Sequence, residues 1–363
     1  MSIRLATVFS GIGAVEQAFK KINHPYDIIF ACDNGERIIE LDEEIIKENL
    51  KKLDHFEQNN YIKNLYDQTN KVNYVKKSYF ENYEIDEDAW YEDIRFIDGS
   101  YFTGKVDILA GGSPCQSFSI IGKGGGLDDE RGNLVFDFIR LVREVKPKVF
   151  IYENVPGMLS HNKGKTWEII EKYFKELNYK IYAQILNSKD YGIPQNRRRV
   201  FVVGFRDEIN SFSFPEYNHS NKIVKDYLED NVIARHYLGK KGFEFVTNPK
   251  NGNRARVNRD VMQTQKANQQ YNWNGDFVFE ELEKIKHRKD ILERAYIGEY
   301  EGKKGVVRQL SYRECLRLMG FSDDFKIVVP NVPAYRQAGN SIVVNVLEAI
   351  ITEIMKVVDF NEK

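Results

Sequence analysis

The sequence predicts an α/β chain, a doubly wound Rossmann-like sheet with a second, smaller domain, and three observations predict it. The chain opens as strand, glycine turn and helix: residues 5–9 are an apolar run, Ser10, Gly11, Ile12 and Gly13 a tight turn, and residues 14–22 a helix with Val15, Phe19 and Ile22 on one face. Further apolar runs at 28–31, 106–110, 149–152 and 200–203 read as buried strands. Composition then turns polar and weakly periodic over 216–305 and becomes regular again from Arg308. We therefore expect a large domain built from 1–214 plus 331–363, with a segment of about 42–91 inserted, and a smaller domain over 215–330.

At 363 residues, 42% hydrophobic and 29% charged, the chain has the composition of an ordinary globular protein. No apolar run approaches a membrane span, and the first residues are neither anchor nor signal peptide, so a cytoplasmic protein without membrane contact is expected. Cys32, Cys115 and Cys315 are odd in number and widely spaced, which excludes a disulfide framework, and no CxxC pair suggests a metal. The net charge of -1 excludes a generally basic surface but not a local basic cleft that meets phosphates.

Each element carries a polar residue where a doubly wound sheet keeps its ligands, at the strand's carboxyl end. Asp33 follows Gly13 by 20 residues, the distance at which an acid reaches ribose hydroxyls. Glu16 stands where a dinucleotide site has its third glycine, and an acid there would repel a pyrophosphate. A nucleoside without a pyrophosphate, such as S-adenosylmethionine, needs only the turn and the acid; a purely structural turn is the alternative. The 60 residues from Asp33 to Asp93 exceed a crossover. Their surplus reads as a solvated inserted subdomain, with helical character around Ile45, Ile46, Leu50 and Leu53, or as a DNA-touching one through its Lys and Tyr residues. Asp93 is either an adenine-amine acceptor or a cap.

The run 106–110 ends in Gly111, Gly112, Ser113, Pro114 and Cys115. Cys115 is either a small buried residue or a reactive thiol, and Pro114, Gln116 and the glycine-rich loop 122–132 favour the second, with the loop as its lid. Leu134, Phe138, Leu141, Val142 and Val145 at helical spacing are core. Glu153, at the end of the 149–152 strand, is either a helix cap or a partly desolvated acid with a raised pKa. Alternation puts Arg197 and Arg199 on one face and Arg198 on the other, where they need anionic or carbonyl partners unless they form surface salt bridges. In the polar region Arg254, Arg256, Arg259 and Lys266 face one acid, Asp260, and Gln263 and Gln265 begin an amide-rich run. Arginines and amides of this kind read base edges, or form a polar loop. Ser311 with Glu314 reads as a capping box, Cys315 as core, and Gln337–Ala338–Gly339–Asn340–Ser341 as the opening of a last helix.

FSGIG, SPCQSFS, ENVPG, QNRRRVFVVG, RQLSYRECLRLMGF and QAGNS, in this order, resemble the motifs of the cytosine-C5 DNA methyltransferases nearly from end to end. The resemblance implies a methyltransferase sheet that binds S-adenosylmethionine through Phe9, Gly11, Ile12, Gly13, Asp33, Asn34, Asp93, Ile94, Pro114, Leu134, Asn340 and Ser341, and a target-recognition domain over 215–330. The departures are the insertion and an aspartate at 33 where many members carry glutamate.

By the same resemblance a cytosine is flipped from duplex DNA. The Cys115 thiolate attacks C6, Glu153 donates at N3, Arg199 binds the base O2, and Arg197 steadies Glu153 or the surroundings of the thiol. Gln116, Ser119 and Lys123, with Arg254, Arg256, Arg259, Gln263, Gln265 and Lys266, are the expected DNA contacts. The partner is a short site in double-stranded DNA, bound by a monomer, within a restriction-modification system whose endonuclease would be encoded separately. A tRNA methyltransferase of the same family is the nearest rival. A non-catalytic DNA-binding regulator is next, and a nicotinamide oxidoreductase is disfavoured by Glu16.

Overall fold

Parallel strands β1 (Ile3–Val8), β2 (Tyr26–Cys32), β3 (Trp90–Tyr91), β4 (Ile108–Gly111) and β5 (Val149–Asn154) form the body of a seven-stranded sheet, completed by β6 (Lys180–Asn187) and, after the two-residue β7 (Gln195–Asn196), by β8 (Arg198–Phe205). The order is β3-β2-β1-β4-β5-β8-β6, with β8 antiparallel to β5. The order reverses between β1 and β4, whose ends are level because Val8 pairs with Gly111. A ligand crevice is therefore expected beyond these two strands. The computed structural model describes residues 2–114, 134–209, 211–217, 220–268 and 273–360. Cys115, Gln116, Ser119, Lys123 and the expected lid lie outside the described residues.

The chain divides into two units, one of Met1–Leu186, Arg198–Glu216 and Leu347–Lys363, the other of Asn187–Arg197 and Tyr217–Val346. In the first, the helix Ala14–Lys21 buries Val15, Ala18 and Phe19 and places Lys20 and Lys21 in its last turn, where the helix dipole favours cations. The helix Leu134–Val145 buries Phe138, Leu141, Val142 and Val145, as its spacing predicts, and also Val135, Phe136 and Ile139, while Leu134 is only partly buried. Phe138, Phe150, Tyr152 and Phe174 pack together at ring distances of 4.7 to 6.4 Å. Complete burial of each such side chain contributes about 1.5–3 kcal/mol.

The inserted segment is not a solvated appendage. Its three helices, Glu43–Leu50, His55–Asp67 and Tyr74–Asn82, are capped by Asp42, Asp54 and Asn73, and Ile46, Leu50, Ile62 and Tyr66 form a core with Phe96. Tyr66 and Tyr79 are fully buried. The reason is that each tyrosine hydroxyl finds a partner in the sheet domain, which lets the ring be buried without an unmet polar group.

In the second unit, β9 (Ala255–Val257), β11 (Gly275–Glu281), β12 (Gly298–Tyr300) and β13 (Lys303–Gln309) form a sheet of order β12-β13-β11-β9, while β10 (Met262–Gln263) pairs with β7. Phe243, Val246, Val257, Phe277, Phe279 and Val307 are its core. Ser311 and Glu314 form the expected capping box on the helix Tyr312–Arg317, and Cys315 is buried. The QAGNS motif closes the helix Asn331–Asn340 rather than opening one; the next helix, Val344–Val357, which from Leu347 onward belongs to the first unit, buries Val344, Leu347, Ile350 and Ile351. By length and composition alone residues 331–357 could cross a membrane, contrary to the sequence expectation, but 56% of the most apolar window is buried inside the protein and Ser341–Val343 interrupts the helix. That is the pattern of a core element.

Candidate active site

The turn after β1 is fixed by hydrogen bonds to the end of β2. Ser10 N–H donates to the Cys32 carbonyl at 3.0 Å, and Cys32 N–H donates to Ser10 Oγ at 3.0 Å. Gly11 N–H donates to Asp33 Oδ2 at 3.0 Å, and Gly35 N–H to Asp33 Oδ1 at 2.8 Å. The expected ribose acid is thus held directly against the turn, with a second lone pair left on each oxygen for hydroxyl donors. Desolvation nevertheless raises its pKa. Phe9 has φ 51, a left-handed conformation costing about 1–3 kcal/mol in a non-glycine residue. It lies just beyond β1 and not, as expected, inside the strand.

Gly13 is required by its neighbour and by its backbone, whose φ is 78. A Cβ there would lie 2.2 Å from the ring of Tyr83, whose hydroxyl is 2.8 Å from the Gly13 carbonyl and 3.0 Å from that of Ile12. Ile12 itself is 1% exposed. Glu16 does not face the turn's outer side. It is wholly buried, with Oε1 taking the Tyr79 hydroxyl at 2.5 Å and lying 3.0 Å from Thr7 Oγ1, and burial raises its pKa. The expected repulsion of a pyrophosphate by this acid is corrected accordingly.

Asn34 uses its amide within its own loop, donating to the Arg37 carbonyl and accepting from Glu36 N–H. Asp93 caps the short helical turn Ile94–Phe96 and receives the Arg95 guanidinium and the Tyr66 hydroxyl, the latter at 2.6 Å. The cap alternative therefore describes its carboxylate, which already accepts several donors. Ile94 is buried, and its carbonyl accepts from Arg140 at 2.6 Å.

At the other side of the switch point, Glu153 closes in on the segment that leads to Cys115. A Cβ on Gly112 would lie 2.8 Å from Glu153 Oε2 and 2.9 Å from the Glu153 carbonyl. Asn154 Nδ2 donates to the Ser113 carbonyl at 3.0 Å, and Ser113 Oγ is 2.6 Å from the Tyr152 hydroxyl. Pro114 is exposed and Leu134 packs at the edge of the core.

The arginines have different partners. In the β5–β8 register Glu153 faces Phe201, so Arg199 is its diagonal neighbour on the same face and Arg198 points away. Arg199 Nε meets Glu153 Oε1 at 2.9 Å. Arg197 is held by backbone carbonyls of its own unit. It is 5% exposed, lies in the second unit, and donates to the carbonyls of Gln265, Gly339 and Ser341 at 3.1, 3.1 and 2.9 Å. Asn340 and Ser341 also belong to that unit, where Arg197 fixes the backbone that carries them.

Among the expected DNA contacts, Arg254, Arg259 and Lys266 are exposed and Arg256 and Gln263 partly so. Gln265 is 2% exposed, so the amide expected to read a base is enclosed in the second unit. The residues that sequence reasoning missed are Tyr66, Asn73, Tyr79 and Tyr83 of the insertion, together with Arg37, Glu92, Ser113 and Asn154. The i,i+4 spacing of Ile62 and Tyr66 was the available signal.

The chain matches the family described as C-5 cytosine-specific DNA methylase over residues 56–356. It is 36% identical to Type II methyltransferase M.HhaI of Haemophilus parahaemolyticus, over 70% of this chain and 77% of that protein. It is 34% identical to Type II methyltransferase M.SsoII of Shigella sonnei, over 80% and 76%. The structure of the Entamoeba histolytica methyltransferase EhMeth superposes with a TM-score of 0.68 over 98% of both chains at 16% identity, a likeness of fold.

Proposed function

The chain belongs to the C-5 cytosine-specific DNA methylase family, and on that premise we propose that it transfers a methyl group from S-adenosylmethionine to C5 of a cytosine flipped out of duplex DNA. The observation that carries the reading is the lock between Glu153, Asn154 and residues 112–113, which sets an acid beside the segment leading into Cys115. The residues of the turn fit the donor. Asp33 offers two oxygens to hydroxyls, no basic residue lies between Val8 and Gly13 to hold a pyrophosphate, and beside Gly11 an added Cβ would meet nothing nearer than 3.9 Å. When bound, S-adenosylmethionine supplies an electrophilic methyl group.

Cys115 would add to C6 of the base, which places nucleophilic character on C5; after C5 had taken the methyl group from the sulfonium, loss of the C5 proton to a base and breaking of the Cys115 Sγ–C6 bond would release 5-methylcytosine and free the thiolate. Glu153 would hold a proton or hydrogen bond at N3, where charge develops, and Arg199, which fixes Glu153 Oε1, would bind the base O2. Arg197 holds the backbone at Gly339 and Ser341, on either side of Asn340. The exposed arginines of residues 215–330 would make that region the target-recognition domain, bound by a monomer to a short site within a restriction-modification system of the cytoplasm.

Methyl-labelled S-adenosylmethionine with duplex DNA and with tRNA tests the reading. Wild type should label DNA and not tRNA, Cys115→Ser should lose labelling by more than about 10³-fold, and wild type should form a covalent adduct with 5-fluorocytosine DNA. Labelling of tRNA alone would sink the DNA reading, and full labelling by the serine variant would sink the thiol mechanism.

A further inference from the structure

The insertion reaches each of the three loops expected to hold the methyl donor. Tyr83 lies against the glycine turn, with its hydroxyl donating to the carbonyls of Ile12 and Gly13 and accepting from Gln17 Nε2 at 3.2 Å. Asn73 Nδ2 donates to the Asp33 carbonyl at 2.9 Å and to Glu92 at 3.1 Å, and Glu92 is paired in turn with buried Arg37, whose Nε donates to the Asn34 carbonyl at 2.9 Å. The Tyr66 hydroxyl donates to Asp93 Oδ2, and Glu43 receives the other side of Arg95 at 3.0 Å. Tyr79 supports the same turn one layer deeper, through Glu16 and Thr7.

Charge argues against the rival role. Residues 42–91 carry twelve aspartates and glutamates against seven lysines and no arginine, a balance that repels a phosphate backbone. Lys63 and Lys76 are moreover engaged by the carbonyl and the carboxylate of Glu87.

We propose that the insertion is a scaffold for the cofactor loops, in which Tyr83, Asn73 and Tyr66 are positioning residues that set the affinity for the methyl donor without touching DNA. The inference rests on the methyl-donor reading of the glycine turn. Each contact fixes one loop before the donor arrives, so the donor does not have to order it. Tyr83→Phe and Tyr66→Phe keep the buried rings and delete one hydroxyl each.

The test is calorimetric binding of S-adenosylhomocysteine to the full chain, with DNA affinity and steady-state kinetics measured alongside. Each variant should weaken the nucleoside by about 3–10-fold, the worth of one or two hydrogen bonds. The KM for S-adenosylmethionine should rise in step, while kcat at saturating donor and the Kd for DNA stay within about twofold. A defect that is merely structural would lower kcat and DNA affinity together. Unchanged nucleoside affinity in the folded variants overturns the proposal, as does a loss of DNA affinity with nucleoside binding intact. If Tyr83→Phe fails to fold, Tyr66→Phe and Asn73→Ser decide by the same criteria. Wild type that binds no S-adenosylhomocysteine would overturn the methyl-donor reading itself, whereas binding by wild type with unaffected variants overturns the scaffold alone.

Discussion

The carboxylates at the strand ends of the first unit and the cations on the polar segment of the second are held in opposite ways. Asp33, Asp93 and Glu153 each have partners that fix the position of their oxygens: two backbone N–H groups, a tyrosine with a guanidinium, and Arg199. Arg254, Arg256, Arg259 and Lys266 make no side-chain hydrogen bond among the described residues, and Arg254 rests only on the ring of Phe245. Acceptors that must meet a small ligand at a defined angle gain from being ordered beforehand. Cations that meet a phosphate chain gain from staying hydrated and adjustable, because their contribution comes through counterion release rather than geometry.

The largest effect should come where the second unit breaks its own pattern. Arg308 is 1% exposed and grips Glu314 with two nitrogens at 2.8 and 2.9 Å, while its Nε meets Glu280. Glu314 also accepts Ser311 N–H in the capping box. Removing one charge from a buried pair costs about 3–5 kcal/mol because the other is left uncompensated. Glu314→Gln should therefore lower stability by about that amount in denaturant unfolding, against a change near zero for Arg259→Gln. Equal losses would dissolve the contrast between locked and open cations.

Next in size is the ion pair at the strand ends. Arg199→Ala should reduce kcat for DNA methylation by about 10²–10³-fold, the loss seen when one preorganised charge donor is removed, with the KM for S-adenosylmethionine little changed. Arg199→Lys should recover only part, since an ammonium cannot reproduce the planar fork. A purely structural role for the pair would show instead as equal losses in stability and rate.

How much of this could be read beforehand followed the range of the interactions. The helix over residues 134–145 and the Ser311–Glu314 cap were legible because spacing within a dozen residues determines them. The position of Asp33, at the end of β2 and against the glycine turn, was legible because strand, turn, helix and strand are one local unit. The buried tyrosines of the insertion were not, because each depends on a partner 27 to 70 residues away: Asp93 for Tyr66, Glu16 for Tyr79, Gly13 for Tyr83. Without the partner a tyrosine-rich, charged stretch reads as surface. Within β8 Arg199 falls on a different face from Arg198, as alternation predicts, but Arg197 precedes the strand, and alternation cannot say that one arginine serves a carboxylate and the other three carbonyls. Gln265 failed similarly: an amide looks available until its burial is known.

A smaller effect should come from Asp137, an acid of the first unit that is less firmly held. Its contact with Arg140 is 3.6 Å, and burial pushes its pKa up to about 6. Below the ordinary carboxylate range the group is protonated in both folded and unfolded chains and has no effect on stability. As pH rises toward 6 the unfolded chain ionises first, so stability falls through that window and is level above it. Asp137→Asn should remove this fall, gaining about 1–3 kcal/mol on the wild type between pH 4 and 7. Parallel stability curves over that range would show that Arg140 holds this acid as firmly as the others are held.

The smallest effects belong to the open cations, and they would be seen in salt dependence rather than in stability. Each of Arg254, Arg256 and Arg259 that meets a phosphate should, when changed to Gln, reduce the slope of log K against log salt by about one and weaken DNA binding alike for all sequences. An arginine that reads a base should instead relax specificity at one position, at a cost of about 1–3 kcal/mol. Arg256 is the residue to watch, because it alone of the three lies within a strand, β9, and is partly buried. A side chain held by a sheet has fewer rotamers to lose and a better defined direction, so a uniform loss is expected at Arg254 and Arg259 and a position-specific one at Arg256. Binding measured at several salt concentrations on a library of short duplexes separates the two outcomes, and a position-specific loss at Arg259 would show that an open cation can also read sequence.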